Sequence, residues 1–80
     1  MTLGDWEVTV SKEEEFENQP GNPGAGRQRM VFYDFKHVPS NHVLHFMIQF
    51  IKPLSDEAIE EHLTKFTSQL KTAFIDPLSN

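Results

Sequence analysis

The 80-residue chain contains no cysteine, which excludes disulfide bridges and thiolate sites. Secreted domains of this size more often carry disulfides, so the absence favours a reducing compartment. The first residues have neither the basic nor the apolar region of a signal peptide. No apolar run approaches the roughly 18 residues of a membrane span. We therefore expect a cytoplasmic protein that does not use a membrane.

Basic residues are also scarce in the sequence. Seven Lys and Arg residues stand against twelve Asp and Glu residues, and the formal net charge is −5. An acidic protein repels the phosphate backbone of nucleic acids, so we do not expect nucleic acid to be the partner. The acidic residues are clustered over 13–17, at Glu13, Glu14, Glu15 and Glu17, and again around 56–61.

Sequence motifs of catalysis and metal binding are missing as well. The chain has no phosphate-binding loop, dinucleotide-binding glycine pattern, metalloprotease motif or nucleophile elbow. His42 and His45 are three residues apart on a predicted strand and should point to opposite faces. His37 and His42 would supply two ligands, but a zinc site needs at least three. We therefore predict no catalytic residue, no metal, no cofactor and no enzymatic activity.

The sequence has the length of one domain, residues 1–80, and begins with a strand-like segment. Apolar and polar residues alternate over 5–11, as in a strand with one buried face. Residues 12–27 carry the acidic cluster and then two prolines and three glycines within 20–26. This composition predicts a long flexible loop over 12–27.

Residues 29–37 and 42–51 have the composition of two strands, and 38–41 that of a tight turn. Pairing His37 with His42 gives a hairpin with a coherent apolar side, and a shift of one residue would destroy it. The residues predicted to share this buried side are Val31, Tyr33, Phe35, Leu44, Phe46, Ile48 and Phe50.

A C-terminal helix is predicted from Ser55 onward. Ser55 can cap its first turn, and Pro77 should end it near Ile75. Apolar residues recur at the spacing of one helical face, at Ile59, Leu63, Phe66, Leu70 and Phe74. The predicted fold class is therefore α+β: a three-stranded antiparallel sheet with one amphipathic helix packed on one face, in the order β-β-β-α.

The segment 42–51 is apolar on both of its sides, and one helix can cover only one side. On the other side, the predicted hairpin places Asp34 opposite His45, an acid–base pair that we interpret as a stabilising cross-strand contact. The residues predicted to form an interface on this uncovered side are Met30, Phe32, Asp34, Val43, His45, Met47, Gln49 and Ile51.

An apolar centre with a polar surround is typical of protein interfaces. The sequence therefore predicts a small protein-interaction module, a homodimeric adaptor, regulator or inhibitor that binds another protein or itself. Two alternatives stay open for the uncovered side: the 12–27 loop covers it with Phe16, or it is an ordinary exposed surface. The alternative function is a small nucleic-acid-binding domain of the three-stranded-sheet-plus-helix type, with Arg27, Arg29, Lys36 and Lys52 near Phe32.

Overall fold

The structure is a computed structural model that describes residues 1–16, 28–51 and 54–79. An antiparallel sheet with the order β1-β2-β3-β4 precedes a C-terminal helix, so the α+β class is confirmed. The described part of the sheet has four strands, whereas the sequence predicted three. The elements are β1 (Thr2–Leu3), β2 (Trp6–Phe16), β3 (Gln28–His37), β4 (His42–Phe50) and α1 (Asp56–Leu70), followed by a π-helical segment (Lys71–Ile75) and a 3₁₀ turn (Asp76–Ser79).

The additional strand, β1, is only two residues long and pairs with the start of β2. Gly4 makes the tight turn between them, with a φ of +58° that glycine adopts without strain. The pairing is extended by the backbone N–H of Val8, which donates to the carbonyl of Met1 over 2.8 Å. Two residues are too few to show a periodic pattern, so this strand was not predictable from residue alternation.

Strand β2 is longer than predicted. The alternation over 5–11 suggested an end at Ser11, but the strand continues to Phe16. The register with β3 shifts between Val10 and Lys12, so a bulge at Ser11 interrupts the alternation on which the prediction rested. Residues 12–16 of the predicted loop are therefore part of the sheet. Residues 17–27 lie outside the described residues.

The predicted hairpin register is confirmed between β3 and β4. His37 lies opposite His42, Tyr33 opposite Phe46 and Asp34 opposite His45, together with the other expected pairs. Asn41 occupies the left-handed region at a φ of 60°, which asparagine tolerates better than most residues, and its N–H donates to the His37 carbonyl over 2.8 Å. Turn geometry and apolar pattern thus specify the same register.

Helix α1 begins as predicted. The Ser55 side chain accepts a hydrogen bond from the Ala58 N–H over 3.2 Å, and Ile59, Leu63 and Leu70 are buried. Phe66 packs its ring against Phe35 and Phe46 of the sheet, with centroids 5.3 and 5.2 Å away. One face of the sheet is therefore covered by the helix, as the predicted stripe requires.

The end of the helix differs from the prediction. The α-helical part ends at Leu70, and wider π-helical turns continue to Ile75. A π turn adds one residue per turn, so the residue that follows Leu70 on the inner side is Ile75 and not Phe74. Ile75 is accordingly 4 % exposed and Phe74 is 47 % exposed.

The core lies between the helix and the facing side of the sheet. Phe35 and Leu63 are completely buried and Val31 is 1 % exposed, so their packing fixes how α1 lies on β3. Leu3 of β1 and Trp6 of β2 extend this core to the first two strands. No helical segment among the described residues has the length and apolarity needed to cross a membrane.

Candidate functional site

The side of the sheet opposite α1 carries every predicted interface residue that lies on a strand, and we call it the open face. Its position follows from the alternation of side chains along β3 and β4: Val31, Tyr33 and Phe35 are buried beneath the helix, so the residues between them point away. The open face comprises Met30, Phe32, Asp34 and Lys36 of β3 with Val43, His45, Met47 and Gln49 of β4; Ile51 directly follows β4.

An apolar row runs along the open face. Phe32 of β3 lies directly opposite Met47 of β4, and Met30 lies beside them on the same strand as Phe32. Met30 and Phe32 are half-buried, whereas Met47 and Val43 are each 46 % exposed. Met30, Phe32 and Met47 thus form one continuous apolar surface, and the pair of Asp34 and His45 separates Val43 from them.

Lys12 also belongs to this surface, although the sequence placed it in a loop. It lies opposite Phe32 in the β2–β3 register, and its Nζ is 5.8 Å from the centroid of the Phe32 ring. A cation over an aromatic face at this distance is weakly attractive. The same Nζ forms an ion pair with Glu14 over 2.8 Å. The position of Lys12 was not predictable without the bulge at Ser11. The bulge reverses the alternation, so Lys12 points to the open face.

Polar side chains beside the apolar row are paired within the sheet. The predicted cross-strand pair is present: Asp34 Oδ1 lies 2.6 Å from Nδ1 of His45. Gln49 donates from Nε2 to Oε1 of Gln28 over 2.8 Å. The His45 side chain is 73 % exposed, so its hydrogen bond with Asp34 contributes little to stability, but it holds both side chains in place.

A small hollow lies in the middle of the open face. It has a volume of about 320 Å³ and opens to solvent. This volume is at the lower end of the range for ligand pockets, and the wide opening to solvent suits one or two side chains of a partner better than an enclosed ligand. Its lining includes Ser11, Phe32, Asp34, His45 and Met47.

The histidines do not assemble into a metal site in the described part of the chain. No group of three or more His, Cys, Asp or Glu residues there is arranged to hold a metal ion. His37 is buried, with its ring 4.9 Å from that of Trp6 and its Nδ1 2.7 Å from Oγ of Ser40. These contacts give His37 a packing role at the turn.

Tyr33 is the described residue with a clearly shifted pKa. Burial beneath the helix raises the pKa of its hydroxyl above the ordinary value of 10.0, because the ionised form would lose its hydration. Arg29 opposes this change and Glu13 adds to it. Tyr33 points into the core, away from the open face, so the shift reports packing and does not mark a catalytic group.

A groove beside β4 was not predicted from the sequence. It has a volume of about 520 Å³ and lies between the outer strand and the flank of α1. Ile48 and Phe50 of the strand face Phe66, His62 and Gln69 of the helix across it. The groove depends on the angle at which the helix crosses the sheet, and residue periodicity does not specify that angle.

The sequence left open the alternative that the 12–27 loop and Phe16 cover the open face, and the structure describes only part of this segment. The side chain of Phe16 and the whole of 17–27 lie outside the described residues.

No protein-family model, no curated protein and no solved structure matches the chain. The functional argument therefore starts from the geometry of the described residues.

Proposed function

We propose that this protein is a small non-enzymatic interaction module, an adaptor, regulator or inhibitor, that binds a partner protein through its open face. The observation that supports this function is the continuous apolar row of Met30, Phe32 and Met47 beside polar side chains that are already paired. Interfaces combine an apolar centre with a polar rim in this way. We also propose that the protein acts in the cytoplasm, since the chain contains no cysteine.

The apolar row is large enough to stabilise a complex. Full burial of one Val, Met, Ile or Phe side chain contributes roughly 1.5–3 kcal/mol. Met30 and Phe32 are already half-buried and gain less, whereas Val43 and Met47 are 46 % exposed and Ile51 is 66 % exposed. The sum is comparable to the lower values for the cost of association, about 4 kcal/mol, so this surface can contribute much of the binding free energy to a complementary partner.

The sheet behind the open face reduces the cost of ordering on binding. Strand β3 is paired on both sides, and its other face is fixed in the core by Val31, Tyr33 and Phe35. A preorganised surface loses little conformational entropy when a partner docks. A second copy is the simplest partner, because most soluble oligomers are symmetric and two sheets can pack face to face.

The test uses two substitutions on the open face, Phe32→Asp and Met47→Asp. Each places a carboxylate in the apolar row, so we expect both to weaken association and lower the apparent mass in sedimentation at several concentrations. Ser68→Asp is the matched control, because it adds the same charge at an exposed position of α1. Circular dichroism checks that each variant is folded. Parent and variants that all sediment as monomers would show that the homodimer is wrong.

The second candidate function is nucleic-acid binding. One observation favours it: Lys12 lies over the exposed side of Phe32, and stacking aromatics beside basic residues are typical of such surfaces. Lys12 and Arg29 are, however, paired with Glu14 and Glu13. The predicted contributors Arg27 and Lys52 lie outside the described residues. Salt-dependent retention on a heparin column would favour this candidate, and flow-through would favour protein binding.

A further inference from the structure

The outer edge of β4 is a second surface that can bind a partner. The strand is nine residues long and stands at the end of the sheet order. Among the described residues it pairs only with β3. Half of its backbone N–H and C=O groups therefore point outward, where another strand can pair with them.

The strand itself, all of which the structure describes, carries none of the side chains that normally prevent edge pairing. Residues 42–50 include no Asp, Glu, Lys, Arg or Pro. The other side of the sheet differs: β1 pairs with only the first residues of β2, and the part of β2 beyond it carries Lys12, Glu13, Glu14 and Glu15. Charged side chains oppose edge-to-edge pairing, so one side of this sheet is protected and the other is not.

We propose that β4 pairs with β4 of a second copy, antiparallel and about a two-fold axis at Met47, to form one eight-stranded sheet. In this register residues of similar character lie opposite each other. His45 faces the partner's Gln49, Phe46 faces the partner's Ile48, and Leu44 faces the partner's Phe50. Val43 and the partner's Ile51 complete the pairing on the open face.

Neighbouring registers are less complementary. An axis at Phe46 sets His45 against Met47 and Val43 against Gln49. An axis at Ile48 sets Met47 against Gln49 and His45 against Ile51. Each of these pairs a polar side chain with an apolar one. An axis at Met47 therefore matches the side chains of the open face better than an axis at either adjacent residue.

The groove beside β4 gives the partner's apolar side chains a place to pack. Phe50 and Ile48 line it from the strand and Phe66 lines it from α1, all on the helix side of the sheet. In the proposed register the partner's Leu44 and Phe46 lie next to Phe50 and Ile48 and point to that same side. The two-fold axis repeats this contact in the other copy. Pairing of the edges thus buries apolar surface in addition to making backbone hydrogen bonds.

Edge pairing uses the outer backbone groups of β4, whereas the proposed function uses side chains of the open face. Met47 belongs to both, so Phe32→Asp, one strand away from the edge, is the substitution that tests the open face alone. An eight-stranded sheet keeps both open faces on the same side, so it enlarges the apolar row and does not occupy it. Failure of one proposal therefore leaves the other intact. The two modes of self-association also differ in the residues that meet across the interface, and cross-linking can separate them.

The test uses single cysteines, since the chain has none of its own. A mixture of His45→Cys and Gln49→Cys, treated with oxidised glutathione, should shift from 9.3 kDa to about twice that mass as a mixed disulfide dimer. On a denaturing, non-reducing gel each variant alone should stay at 9.3 kDa, because no disulfide joins its two copies. Two copies of position 45 are four residues apart along the paired strands, roughly 13 Å at about 3.3 Å per residue. A disulfide needs Cα atoms within about 7 Å.

Two further cysteine experiments serve as controls. Val43→Cys mixed with Ile51→Cys tests the same register if one of the first variants fails to fold. Phe32→Cys should not link to itself in the edge dimer, because three strand spacings of about 4.8 Å separate the two copies. The absence of a mixed dimer from both mixtures would overturn the proposal. Efficient linking of Phe32→Cys without the mixed dimers would do the same and would favour packing through the open faces.

Discussion

Phe32 and Phe35 are three residues apart on β3, yet their surroundings differ completely. Phe35 is fully buried, with the rings of Tyr33, Phe46 and Phe66 around it. Phe32 points to the other side, where it is half-buried beside Met47 and Lys12. The comparison shows that an apolar residue type indicates a need for contact but does not indicate whether the chain itself supplies that contact.

The largest expected difference between the two faces is in stability. Phe35→Ala removes a ring from a packed core and should lower the free energy of unfolding by about 3–5 kcal/mol. Phe32→Ala should cost less than about 1 kcal/mol in dilute protein, because its ring is already partly hydrated. Urea unfolding of both variants under the same conditions measures the difference. Equal losses would mean that the open face is part of the folded core.

A smaller effect, confined to high pH, is expected from Tyr33 on the covered face. Its pKa is raised by burial, so the folded state disfavours the ionised form. The stabilisation is present below the unfolded value of 10.0 and is lost as the pH rises through the folded pKa. Tyr33→Phe should remove this contribution to the loss of folding stability at high pH.

The measurement for Tyr33 is a spectrophotometric titration, which is unambiguous because the chain has only one tyrosine. We expect the midpoint to lie above 10.0 in the native protein and to return to the ordinary value in urea. A native midpoint at or below 10.0 would show that water reaches the hydroxyl and that the helix covers this face less closely than described.

The contrast between the two faces was largely predictable from the sequence, because both depend on local periodicity. The two-residue period of β3 and β4 and the turn at Asn41 fix one register, and the helical stripe identifies the covering element. The predicted pair of Asp34 and His45 follows from that register. The assignment of sides therefore required no knowledge of the tertiary structure.

Other features were not predictable, for specific physical reasons. The bulge at Ser11 breaks the alternation of β2, so the strand was predicted too short and Lys12 was assigned to a loop. The π-helical turns after Leu70 replace Phe74 by Ile75 on the inner side. The groove beside β4 arises from the crossing of helix and sheet. The bulge and the π-helical turns change the local residue period, whereas the groove depends on how two distant segments pack.

The availability of the open face is tested most directly at the methionine methyl groups. The chain has three methionines, and Met30 and Met47 lie on the open face, while Met1 is an exposed reference. With carbon-13-labelled methyl groups and a soluble paramagnetic agent, we expect the Met47 signal of the dilute monomer to broaden about as strongly as that of Met1. It should become protected when a partner or a second copy binds. A Met47 methyl that is shielded in the dilute monomer would contradict the account, because the chain itself would then cover this face.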